Sequence, residues 1–172
     1  MRTLLLALAL VLPAAAPAQV LEHELKAAYL FRFLSFIEWP ADVFAGPQAA
    51  ISVGVMGAED VLHELQNLVQ GRTVQGRDVL VRRVRPGESL AGLHVLHVGQ
   101  GAAAQLARMG PIRGLLVVAD SAYGLELGAV VNFVRAEGRV GFEVAVDSAE
   151  HRGIRISSRM LAVASYVRRA KP

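Results

Sequence analysis

Leu115-Leu-Val-Val-Ala119, followed by Asp120, decides the fold class. Five apolar residues in a row, with no alternation and an acid at the tip, form the pattern of a strand buried on both faces. Such strands belong to a largely parallel sheet covered by helices. Upstream, His94–Val98 reads as another strand, followed by a helix over Ala102–Met109 that Gly110-Pro111 stops. Further back, Ile51-Ser-Val-Gly-Val-Met56 predicts a buried strand and Gly57 a turn. Val61, Leu62, Leu65, Leu68 and Val69 then recur at helical spacing over Glu59–Val69. Gly71 and Gly76 mark turns before a strand at Val79–Val84, which the breaker Pro86-Gly87 ends. Downstream the pattern changes. Residues 129–135 and 139–146 alternate across Ala136-Glu-Gly138, as an antiparallel hairpin does. Asp147 is placed to cap a short helix to Arg152, and Ser157 or Ser158 to cap a final helix through Arg169. Arg168 and Arg169 would then sit at its negative dipole end. The expected fold is α/β: a single-domain mixed sheet with helices on both faces, a C-terminal antiparallel hairpin and a final helix.

The amino terminus carries a different message. Arg2 precedes the apolar run Leu4–Leu12, then Pro13 and the small residues Ala16 and Ala18, which satisfy an A-x-A cleavage site. The run is too short to span a bilayer. Residues 1–18 are therefore expected to be a cleaved export signal, leaving 19–172 as one α/β domain in the periplasm. No transmembrane segment is expected in the mature chain. With no cysteine there is neither a lipid-attachment thiol nor a disulfide, and a single Arg gives no twin-arginine signal. Leu21–Phe36 follows as a first helix, bounded by Trp39-Pro40. Its second half, Ala27–Ile37, is apolar nearly all round, which predicts that protein covers both sides.

A formal charge of +3 is modest, so basicity matters only where it clusters. One cluster is Arg82-Arg83-Val84-Arg85. The other gathers Arg152, Arg155, Arg159, Arg168, Arg169 and Lys171. Few aromatics lie between these charges to stack bases, so no nucleic-acid partner is expected.

The sharpest chemical motif is Gly99-Gln-Gly101-Ala-Ala-Ala104, which follows a strand and opens a helix, with Asp120 at the tip of the next strand. It matches the G-x-G-x-x-A pattern and ribose-binding acid of dinucleotide sites. Export argues against a nucleotide, and a tight strand-to-helix turn explains the same residues. His94 and His97 lie three apart on a strand and point to opposite faces, so they make no metal site. There is no G-x-S-x-G, S-x-x-K or H-E-x-x-H. Neither a catalytic group nor a cofactor is expected.

Four segments together resemble one family. Leu25–Pro40 is similar to its opening helix, ending in a Phe-x-Glu-Trp-Pro motif at Phe36–Pro40. Ile51–Gly57 resembles its first strand and turn. Gly124–Phe133 with Arg139-Val-Gly-Phe-Glu143 resembles its hairpin, and Gly153–Leu161 its closing Ser-Ser-x-x-Leu helix start. This is the YfiR/HmsC-type periplasmic family. The resemblance implies a non-enzymatic negative regulator that binds the periplasmic sensor region of an inner-membrane diguanylate cyclase or similar signalling protein. It also implies a homodimer, with cyclic-di-GMP signalling and biofilm formation downstream. The chain departs from the family at Arg32, at Gly128-Ala-Val-Val131 and at Ala145. It also lacks the cysteines of oxidation-regulated members, so redox control is not implied.

Candidate residues for partner or ligand contact are Phe31, Phe36 and Trp39, large apolar groups beside the motif, and Arg155 and Arg159, which could reach a carboxylate or small anion. Two other readings stay open. One is a solute-binding sensor with its cleft at the strand ends near Gly57, Gly99 and Asp120. The other is a nucleotide-binding enzyme using Gly99, Gly101 and Ala104.

Overall fold

The computed structural model describes residues 17–136 and 138–169. Residues 1–16, the body of the expected leader, lie outside the described residues, as does Lys171. The chain runs α1 (Pro17–Phe33), β1 (Ile37–Glu38), β2 (Ile51–Met56), α2 (Glu59–Val69), β3 (Thr73–Val74), β4 (Arg77–Arg83), β5 (Val95–Val98) and β6 (Leu116–Ala119). It continues with β7 (Val131–Ala136), β8 (Arg139–Ala145), α3 (Val146–His151), β9 (Arg155–Ile156), α4 (Ser158–Leu161) and β10 (Tyr166–Arg168). Eight strands form one mixed sheet in the order β10-β8-β7-β6-β5-β2-β4-β3, while β1 and β9 pair separately. The centre is parallel and the β7–β8 hairpin antiparallel, as the change of patterning at Ala129 predicts.

Alternation along β5 shows why its sequence is apolar without a break. Val95 belongs to one core with Ala27, Leu30 and Phe33 of α1, Leu34 just after it, and Leu62 and Leu65 of α2, while Leu96 and Val98 pack on the other face with Leu106. Each face removes side chains from water, at about 25 cal/mol per Å² of apolar area. Tyr29 and Phe33 seat α1 on the hairpin. The Phe33 ring meets Phe142 edge-on at 4.9 Å, and Tyr29 meets the same ring at 5.5 Å.

Several expectations are corrected. The first helix stops at Phe33 rather than Phe36, and it covers the sheet with one face only, leaving Glu24, Leu25, Ala28 and Arg32 exposed. Gln75, held at φ 54°, ends the helix by donating from Nε2 to the carbonyls of Leu34 at 3.0 Å and Ile37 at 2.9 Å. The helix after Gly99 is a 3₁₀ helix over Gln100–Arg108. The final helix begins as expected, with Ser157 Oγ accepting from the Arg159 N–H, but lasts only Ser158–Leu161. The chain then becomes β10, parallel to β8 at the sheet edge. Arg168 therefore pairs with Asp147 at 3.2 Å instead of meeting a helix dipole. Asp147 itself lies in the first turn of α3, whose N-cap is Ala145.

Candidate functional site

The motif Phe36–Pro40 and the segment Gly153–Leu161 are joined by the short β1–β9 ladder, with Ile37 opposite Ile156 and Glu38 opposite Arg155. The Ser157 N–H donates to the Phe36 carbonyl at 2.9 Å and extends the ladder. Ile37 is fully buried and anchors this corner in the main core. Neighbouring side chains of a strand point to opposite faces, so burying Ile37 turns Glu38 outward. There Arg155 donates from Nη2 at 2.6 Å and Nε at 3.0 Å, both to the same Glu38 oxygen. The pair is open to water, with 82% of the Arg155 and 63% of the Glu38 side chain exposed.

Trp39 turns inward beside it. Its ring is edge-on to Phe44 and His94, and its Nε1 is buried with no hydrogen-bond partner among the described residues. His94 stacks on Phe44 at 4.3 Å and accepts the Ser52 N–H at Nδ1. Burial lowers its pKa. On the other side of Trp39, Arg113 forks onto Asp42, with Nη2 3.1 Å from each carboxylate oxygen. Arg113 also crosses Gly153, where a Cβ would stand 2.8 Å from Nη1. The Arg113 side chain could shift to admit that Cβ, but Gly153 has φ +69°, and the backbone conformation favours glycine there. Glu38, Trp39, Pro40, Arg113, Gly153 and Arg155 enclose a surface cleft of about 280 Å³.

Of the residues expected at a contact surface, Phe36, Trp39 and Arg155 converge on this corner. Phe31 lies apart on α1, half-buried with the Arg72 guanidinium 5.8 Å from its ring. Phe36 is half-buried and carries Arg32 in the same way at 5.9 Å. Arg159 is exposed on α4. Sequence reasoning missed Arg113, which no motif marks, and the outward role of Glu38. It also missed the exposed Tyr123, Val163 and Tyr166.

The strand-end crevice is divided by side chains. Lys26 of α1, 6% exposed, reaches Asp120 Oδ2 at 2.5 Å and Glu22 Oε1 at 2.6 Å, and Arg135 pairs with Glu22. Clefts of about 300 and 560 Å³ lie on either side, divided by Lys26 and Arg135. Asp120 is therefore committed to a lysine. The glycines have a packing role as well. A Cβ on Gly99 would stand 2.5 Å from the Gly57 carbonyl oxygen, and one on Gly57 2.7 Å from the Ala102 Cβ. Two strand-to-helix turns press together where the nucleotide reading places a pyrophosphate. His94 and His97 occupy separate surroundings, His97 beside Phe133 and Val118. Among the described residues no three His, Asp or Glu side chains form a metal-binding group, and no helix is long and apolar enough to cross a membrane.

A family model described as YfiR/HmsC-like matches residues 23–165, and the chain belongs to that family. No curated protein matches the sequence.

Proposed function

We propose, from membership of this family, that the protein is a periplasmic negative regulator. It binds the sensor region of an inner-membrane diguanylate cyclase or related signalling protein and holds it inactive. The leader is removed after Ala18, and the domain 19–172 works as a homodimer, without cofactor or catalysis. The observation that carries this reading is the corner itself. The two terminal motifs quoted for the family meet at Glu38–Arg155, and the ladder turns polar, exposed groups outward from a buried Ile37. A surface assembled from distant segments and anchored in the core presents a fixed shape, as protein recognition requires.

The test is co-purification. The mature protein is passed as bait over detergent-solubilised inner membranes, and retained proteins are identified. Retention of a sensor with a cytoplasmic cyclase domain, together with reduced cyclase activity when the two are mixed, is the expected result. Empty pull-downs, with the protein stabilised instead by a small metabolite, would replace this reading with that of a solute sensor.

A further inference from the structure

We propose that the cleft between Arg113 and Arg155 is a docking site for a carboxylate side chain on an acidic segment of the partner protein. The proposal rests on the regulatory reading above and names the chemistry of the contact. Each guanidinium spends its Nε and Nη2 on one neighbouring acid, Asp42 for Arg113 and Glu38 for Arg155. Neither Nη1 has a hydrogen-bond partner among the described residues, while both arginines line the same cleft of about 280 Å³. Both pairs are open to water and differ in geometry: Asp42 takes Arg113 through both oxygens, whereas Glu38 takes Arg155 through one. An exposed pair of that kind is weak in water, so Arg155 can change partners at little cost. An incoming carboxylate would accept one charge-assisted hydrogen bond from each free Nη1.

Trp39 and Pro40 supply the apolar side of the cleft. They select a peptide over a free anion. A small anion between arginines that are 62% and 82% exposed would remain largely hydrated, whereas a peptide covers the apolar wall and shields the ion pair as it binds.

Trp39 is the only tryptophan, so its fluorescence reports on the cleft directly. The mature protein is titrated with an acetylated hexaglutamate peptide, with a hexalysine peptide and with inorganic phosphate. A saturable change is expected with hexaglutamate alone, weakened at high salt and at least ten-fold weaker in the variant Arg113→Gln/Arg155→Gln. Should the double variant fail to fold, Arg155→Gln alone serves, since its side chain is mostly in water. No saturable change, an equal response in the variant, or an equal response to phosphate would overturn the proposal. A sensor retained in pull-downs while hexaglutamate stays silent sinks this inference alone. Peptide binding with no sensor retained sinks the regulatory reading instead.

Discussion

Lys26 and Asp120, 94 residues apart, meet at 2.5 Å where the first helix crosses the ends of the parallel strands. The lysine is buried, and a buried charge that loses its partner retains its desolvation cost uncompensated. Asp120→Ala is expected to destabilise the fold by about 2–3 kcal/mol, below the range for a lone ion because Glu22 still faces the ammonium. Urea denaturation measures this. Lys26→Met in the same chain should recover most of the loss, and a double variant no better than the single would show that the pairing is not the cause.

The packed turns give a second prediction. Gly99→Ala forces a methyl into the Gly57 carbonyl, so it should cost about 1–3 kcal/mol through overpacking. Gly110→Ala, with open space around its Cβ, serves as the control and should change the denaturation midpoint little. Equal effects at the two positions would contradict the close approach.

These turns also show what a sequence can and cannot disclose. Ile51–Met56 and Glu59–Val69 have the bounds that their patterning predicts, because each carries its own strong periodicity and a glycine turn between them. The Gly99 motif is ambiguous by nature. Glycine permits close approach of a backbone to anything, and only the fold shows that Gly57, rather than a phosphate, is what approaches. The final helix fails for another reason. Nothing between Leu161 and Arg168 breaks a helix, but Tyr166-Val167 favours extended backbone and β8 offers an unpaired edge to receive it. At two residues each, β1 and β9 are too short to carry a period, so the corner was visible only as separate motifs.

His97 supplies a pH dependence. It is fully buried, and burial lowers its pKa to about 4, outweighing the hydrogen bond to the Val118 carbonyl. Between that value and the ordinary one near 6.5 the unfolded chain binds a proton that the folded one refuses. Stability is therefore complete above about pH 6.5 and is lost as the pH falls toward 4, by up to about 3 kcal/mol. Thermal melting across this window should show the decline, and His97→Gln should flatten it. An unchanged slope in that variant would assign the effect to other groups.

The corner separates a buried anchor from an exposed pair. Ile37→Ala, at a fully buried position, should cost about 2–5 kcal/mol. Glu38→Gln should cost less than about 1 kcal/mol, since its pair is exposed. If Glu38→Gln lowers the melting temperature as much as Ile37→Ala does, the outward pair is structural and the division fails.

The β1–β9 ladder joins residue 38 to residue 155. A fragment that ends before Arg155 leaves β1 without its mate. The corner therefore exists only once both ends of the domain have been made and brought together.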